Sequence, residues 1–370
     1  MNAKNVLVNF VGLRGGGVSY AYEMVNGLAK NGCQIYAIVS SKMEGLEKWR
    51  SIRNTHLLII KGYSSYINFI PNLLFFMIFE WRRIKKVINS AKIDFAYIPM
   101  SSYWCPFVYN KTKEYRTFFT MHDVIPHGNK KSFAWRINNY VAKKADDIII
   151  LSDCFREKII SEYKKTTDRV LTLQIGQQNY YFSDSQKTTK DENFYIIFYG
   201  RILDYKGLDI LLEAFHLLEP KYKNIKLVIA GSGDLSKYNT LLSSIDESNV
   251  ILMNRWIKDE EVPEIFNHEK SITVLPYKNA TQSGVIPIAM MAKSLVICSN
   301  CAGLAEQVAD KHTGFIIEPN NSTLLASKLS ECLSHWAEMI KVIENAHHYI
   351  NDLTWDAIAK RIIERVEGKF

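Results

Sequence analysis

Two cations five positions apart, Arg201 and Lys206, stand in the segment Tyr199-Gly200-Arg201-Ile202-Leu203-Asp204-Tyr205-Lys206-Gly207-Leu208-Asp209. Arginine grips phosphate oxygens with a planar fork, and lysine offers a compact charge to a leaving group that grows more negative, so the pair suits a diphosphate. Taken alone, the same residues could be two solvated surface cations. The next small-residue turn, Ala230-Gly231-Ser232-Gly233-Asp234, would let a ligand approach the backbone closely. A third segment, Pro276-Tyr277-Lys278-Asn279-Ala280-Thr281-Gln282-Ser283-Gly284-Val285, enters an expected helix at Ser283-Gly284. Free N–H groups and the helix dipole can hold a phosphate there; an ordinary serine cap is the plainer alternative.

Other chemistries find less support. Cys298-x-x-Cys301 has the spacing of a zinc or redox pair, but no second cysteine or histidine pair completes four ligands. The six cysteines lie mostly in apolar segments, as expected of reduced, buried thiols. No D-x-D triad occurs, so a carboxylate-held divalent cation on a diphosphate is not indicated, and no metal or other cofactor is expected.

Positioning these loops requires strands that end where they begin. Residues 5–10 read as a buried strand, followed by Gly12-Leu13-Arg14-Gly15-Gly16-Gly17 and an amphipathic helix over 18–30. Strand-like runs follow at 34–39, 93–98, 117–121 and 147–151, alternating with helical stretches. After a polar, aperiodic linker at 183–193 the pattern restarts, with strands expected at 194–199, 226–230, 249–252, 271–275 and 295–298 and helices near 207–218, 235–244 and 284–292. Such alternation implies parallel sheets covered by helices, whose ligand sites lie at the carboxyl ends of the strands.

With 370 residues the chain has room for two domains at roughly 100 to 200 residues each. Its 47% hydrophobic and 23% charged content is that of a folded globular protein. The start lacks the order of a signal peptide, so the reading is of an unsecreted, cytoplasmic protein. The longest apolar run, Leu73 to Phe79, is too short to span a bilayer. Charge is uneven: residues 1–176 hold 26 Lys+Arg against 13 Asp+Glu, and the remainder 20 against 25. The basic half suggests an anionic partner. Within it, the aromatic and basic stretch 67–89, with Arg82, Arg83, Lys85 and Lys86, fits either a helix at an anionic membrane surface or a sheet-covering helix with a solvated basic end.

The three loops, in this order, resemble the donor domain of glycosyltransferase family 4, and the resemblance spans nearly the whole chain. Its most specific part is the run from Gly200-Arg201 to Lys206-Gly207-Leu208-Asp209, then Gly231-Ser232-Gly233-Asp234, then Pro276-Tyr277 through Thr281-Gln282-Ser283-Gly284-Val285, a form similar to transferases of bacterial surface polysaccharide and O-antigen. The resemblance implies the GT-B fold: α/β, two facing Rossmann-like domains with a deep interdomain cleft. Residues 1–176 plus 355–370 would bind acceptor, and 177–354 a nucleotide-sugar donor; the last helix, 355–366, would return to the first domain.

By the same resemblance Arg201 and Lys206 bind the donor pyrophosphate, and Gly200 and Gly231 open the loops around it. Ser283, Gly284 and Val285 form the loop on phosphate and sugar, and Arg255, Trp256 and Ile257 line the base. Glu306 matches a family carboxylate near the ligand, or is a helix-start acid. Gly15, Gly16 and Gly17 face the donor phosphates, His122 lies beside the donor sugar, and His122 and Asp123 position donor and acceptor. The family's paired glutamates, eight positions apart, are replaced by Thr281 and Ala289, with Thr281 or Gln282 left to meet sugar hydroxyls. The expected activity is retaining transfer of a hexose or deoxyhexose from a UDP- or GDP-sugar to a glycan or lipid-linked acceptor, without metal. An epimerase of the same fold and a basic nucleic-acid-binding protein are the rivals; the dispersed cations and lack of a recognised motif argue against nucleic acid.

Overall fold

The computed structural model describes residues 4–63, 66–126, 132–182 and 191–369. The chain forms two units, residues 1–175 with 354–370, and residues 176–353. Residues 183–190 of the expected linker lie outside the described residues.

In the first unit, runs of buried aliphatic and aromatic residues form β1 (Asn5–Phe10), β2 (Gln34–Ser40), β3 (Thr55–Ile60), β4 (Phe95–Ile98), β5 (Thr117–Met121), β6 (Asp147–Ile150) and β7 (Val170–Thr172). They make one parallel sheet in the order β3-β2-β1-β4-β5-β6-β7. Strands buried on both faces need no polar alternation, which is why they read as continuous apolar runs. Strand order reverses direction between β1 and β4, where such sheets open a crevice at their carboxyl edge.

The helix Trp355–Val366 belongs to this unit and packs on the helix Gly16–Lys30. Gly27 makes the contact possible: a Cβ there would lie 2.4 Å from the Trp355 carbonyl oxygen. Asn31 Nδ2 donates to the Asp356 carbonyl at 2.8 Å. Farther along, Arg365 meets Asp168 at 2.9 Å and Asp147 at 3.7 Å. The buried Asp147 carboxylate also takes two bonds from Arg116, at 2.8 and 2.9 Å.

The second unit repeats the plan with β8 (Phe194–Tyr199), β9 (Ile225–Ala230), β10 (Val250–Met253), β11 (Ser271–Leu275), β12 (Leu295–Ser299) and β13 (Phe315–Ile317), all parallel in the order β10-β9-β8-β11-β12-β13. Its reversal lies between β8 and β11. Both units are thus Rossmann-like parallel sheets with helical cover. The helix expected over 235–244 is shorter, Asn239–Ser243: Asp234 Oδ1 accepts the Ser236 N–H at 2.8 Å, turning the chain before the helix begins.

The stretch 66–91 is helical throughout, but changes pitch. The helix Tyr66–Phe75 contains Pro71, passes into a π-helical turn at Phe76–Glu80, and continues as the helix Trp81–Ala91. Pro71 supplies no N–H, so the bond back to the Ile67 carbonyl is missing from the first turns of this stretch. Leu73, Phe76, Trp81, Ile84 and Ile88 are buried against the sheet, while Ile67, Ile70, Leu74, Ile78 and Phe79 are exposed, Ile67 by 89%.

Candidate functional site

At the carboxyl end of β8 the chain turns through Gly200, whose φ of 113° suits a residue without a side chain. A Cβ at Gly200 would come within 2.7 Å of Lys206 Nζ, so the bare backbone makes room for the ammonium. Gly231, at the end of β9, closes on the same turn: its Cβ would sit 2.0 Å from the Gly200 oxygen. The two loops continue side by side, with the Ile202 N–H donating to the Ser232 oxygen at 2.8 Å.

Lys206 is partly buried, its Nζ 5.1 Å from the centre of the Tyr277 ring. Burial pushes its pKa down to about 8; Tyr205 opposes the shift and the charge on Arg201 adds to it. The nearby carboxylates are already matched: Asp209 receives Lys278 at 2.7 Å, and Asp204 pairs with Lys237 and, at 3.6 Å, with Lys278. Among the described residues neither Arg201 nor Lys206 has an ion-pair partner. Two like charges held near one another without a carboxylate are suited to an anion.

The loop after β11 enters the helix Val285–Met291. Its polar atoms are less open than the expected phosphate loop requires. The Ser283 N–H donates to Gln307 Oε1 at 2.8 Å, and the Val285 N–H donates to Ser283 Oγ at 3.2 Å. Ser283 Oγ therefore takes the first N–H of the helix, and these bonds leave the exposed Gly284 at the N-cap to offer its own. No atom lies within 4 Å of where a Gly284 Cβ would be, so packing does not explain the glycine. Thr281 is buried, and Gln282 Oε1 is a buried oxygen with no hydrogen-bond partner.

The segment expected to line a base is divided in its roles. Arg255 forks onto Glu261 at 2.8 and 2.6 Å, which holds the Glu261 carboxyl down at about 2. Ile257 is buried in the core. The Gly231 N–H donates to the Met253 oxygen at 3.1 Å, tying the start of this segment to the β9 turn. Glu306 follows the helix Ala302–Ala305 and is exposed.

In the first unit, Gly15 has a φ of 82° and precedes the helix Gly16–Lys30, whose first turn carries no acidic residue. A Cβ on Gly16 would meet nothing within 4 Å, whereas one on Gly17 would reach 2.2 Å from Met100 Sδ. His122, at the end of β5, is buried, and its Nε2 lies 2.8 Å from the Pro99 oxygen after β4. Burial holds its pKa below the ordinary value, so the ring is neutral and Nε2–H donates to that carbonyl. Its edge meets the Tyr20 ring at 4.5 Å. The Asp123 carbonyl accepts Asn138 Nδ2 at 3.2 Å, and Asn138 Oδ1 accepts the Ser101 hydroxyl at 3.2 Å, joining the β4 and β5 loops. Thus the glycine loop, Pro99-Met100 and His122-Asp123 share one sheet edge.

Residues 14–173 match the family model Glycosyltransferase Family 4, and residues 182–349 match the family model Glycosyl transferases group 1. The chain pairs a family 4 with a group 1 glycosyltransferase domain. Among curated relatives, this chain is 26% identical over 206 residues to the capsular polysaccharide biosynthesis glycosyltransferase CapM of Staphylococcus aureus, covering 51% of this chain and 53% of that one. It is 25% identical over 185 residues to the lipopolysaccharide 1,2-N-acetylglucosaminetransferase of Salmonella typhimurium, covering 47% and 48%. The matches take in about half the length of these relatives. HepE of Anabaena, solved in complex with UDP and glucose, aligns over 99% of this chain and 100% of its own with a TM-score of 0.71 and 16% identity. The fold is that of GT-B glycosyltransferases.

Within the group 1 domain, Gly200, Arg201, Lys206, Gly231 and the 281–285 loop stand at the carboxyl ends of neighbouring strands β9, β8 and β11. Sequence reasoning missed Gln307, which grips Ser283, and Tyr277, which lies beneath the Lys206 ammonium. Tyr277 stands in the Pro276–Val285 segment, whereas Gln307 carries no local sequence signal. Among the described residues no group of three or more His, Cys, Asp or Glu is gathered for a metal ion. In the same residues no helix is long and apolar enough to cross a membrane.

Proposed function

We propose that this glycosyltransferase moves a hexose or deoxyhexose from a UDP- or GDP-sugar to a glycan acceptor, lipid-linked, in cell-surface polysaccharide or O-antigen assembly. The observation carrying this reading is the Arg201 and Lys206 pair, unmatched by carboxylates and set at the sheet reversal beside the Gly231 turn. In the reaction, the bond from the sugar's anomeric carbon to the β-phosphate oxygen breaks, and a nucleoside diphosphate leaves with the electron pair. The acceptor hydroxyl oxygen bonds to the same face of that carbon, and its proton passes to the departing phosphate. Retention follows. Arg201 and Lys206 stabilise the growing phosphate charge without a metal, and Gln282 Oε1 accepts a hydrogen bond from a hydroxyl of the donor.

The acceptor's setting is read from the exposed face of residues 67–79. Ile67, Ile70, Leu74 and Ile78 recur at helical spacing, and the exposed Tyr103 and Phe133 stack at 5.7 Å; Tyr63 links Tyr103 to Phe69 at 6.0 and 5.1 Å. Arg82, Arg83, Lys85 and Lys86 follow on exposed positions. An apolar, aromatic face beside a basic one suits the anionic inner surface of the cell membrane. The enzyme would act there from the cytoplasm.

The test is thermal shift and calorimetry against UDP, GDP, ADP, dTDP and NAD, with Arg201→Ala and Lys206→Ala. Binding of UDP or GDP that weakens at least about tenfold in both variants is expected. Binding of NAD alone, or of no nucleotide, overturns the donor reading.

A further inference from the structure

The loop entering the helix Val285–Met291 has a bond of its own from the Val285 N–H to Ser283 Oγ, and the segment after β12 adds three further contacts. Cys301 Sγ donates to the Tyr277 oxygen at 3.1 Å. The bare Cα of Gly303 lies against Thr281, where a Cβ would be 1.8 Å from the Thr281 oxygen. The third contact is the most specific. Gln307 Oε1 accepts the Ser283 N–H at 2.8 Å while its Nε2 donates to the Ser283 carbonyl at 3.0 Å.

A carboxamide that takes both backbone groups of one residue fixes the peptide planes on either side of it, as a neighbouring strand would. Ser283 is buried, so either group left unmade would be costly. The two planes so fixed lead to Gln282 and Gly284. Those residues carry the polar atoms still unclaimed: the buried Gln282 Oε1 and the N–H of exposed Gly284.

We propose that Gln307 is a positioning residue of the donor site, whose carboxamide sets Ser283 so that the Gly284 N–H meets a donor phosphate and the Gln282 carbonyl meets a donor hydroxyl. The proposal rests on the reading of this loop as part of the donor site. Glutamine is suited to the task because it accepts and donates at once; an ionised carboxylate could only accept, and would confront the Ser283 carbonyl.

The experiment measures UDP and GDP affinity by calorimetry, and thermal stability in parallel, for the wild type, Gln307→Met and Gln307→Glu. Gln307→Met keeps the volume and loses both bonds; it should bind the preferred nucleotide about tenfold more weakly. Gln307→Glu should bind poorly at pH 8 and approach the wild type, measured at the same pH, as acidification protonates the carboxyl and restores a donor and an acceptor. Wild-type affinity in Gln307→Met overturns the proposal. If Gln307→Met is badly destabilised, the pH series decides, and a constant ratio of Gln307→Glu to wild type overturns it. Failure of Gln307 alone leaves wild-type nucleotide binding intact, whereas failure of the donor reading abolishes it in every protein, and this proposal falls with it.

Discussion

The Lys206 ammonium is costly to the empty fold and valuable to a ligand. Its pKa is lowered from 10.5 to about 8, so the unfolded chain keeps a proton that the folded chain gives up across that window. The stability penalty is fully present below pH 8 and diminishes as pH rises towards 10.5. A bound diphosphate favours the charged form, so above pH 8 binding takes up a proton. Nucleotide affinity should therefore fall as pH rises past 8, by up to about tenfold per pH unit, and calorimetry should find that slope absent in Lys206→Met. The same variant should melt no lower than the wild type at neutral pH. An affinity that stays level from pH 8 to 10 would show that Lys206 does not meet the nucleotide. Residues of this kind were legible in the sequence because charge type and strand-end position suffice to nominate them. The engagement of Arg255 was not, because its partner Glu261 is brought back by a turn, and Gln307 acts on backbone atoms 24 residues away.

At the scale of elements, the entry to the helix Val285–Met291 separates packing from binding. Gly284 has a φ of −70° and open space where a side chain would grow. Gly284→Ala should leave the melting temperature unchanged while a methyl beside the offered N–H weakens nucleotide binding by about 1–2 kcal/mol. Unaltered affinity would remove that N–H from the site. The irregular helix 66–91 makes the corresponding case for lipid. Replacing Ile67, Ile70 and Leu74 by Ser should abolish flotation with anionic liposomes at little cost in stability, since these side chains are exposed. Reversing the charges of Arg82, Arg83, Lys85 and Lys86 should remove about 1 kcal/mol each near the surface. Flotation that survives both sets of changes would exclude this face. The inner strands were readable as apolar runs. Three of the four edge strands were not: β3 mixes buried with half-buried residues, and β7 and β13 have three residues each, too few to show a period, whereas the fourth, β10, was expected at 249–252 and is found at Val250–Met253.

For the whole molecule, the discontinuous unit makes the helix Trp355–Val366 part of the first sheet's cover. Gly27→Val would drive a side chain into the Trp355 backbone and should cost about 1–3 kcal/mol. The loss should fall on the first unit, so hydrogen exchange should quicken in β1 and the helix Gly16–Lys30 but not in β8 or β11. Uniform quickening would mean that the two units unfold as one.

That closing helix also orders events during synthesis. Everything needed for the second sheet has been translated by Leu353, whereas the groove at Gly27 stays uncovered until residues some 330 positions later emerge. The half made first is therefore the half completed last. During that interval its exposed apolar helix and its uncovered groove coexist on the nascent chain, and a chaperone that recognises unburied apolar helices would find its target there, in the first unit, after the second has already closed.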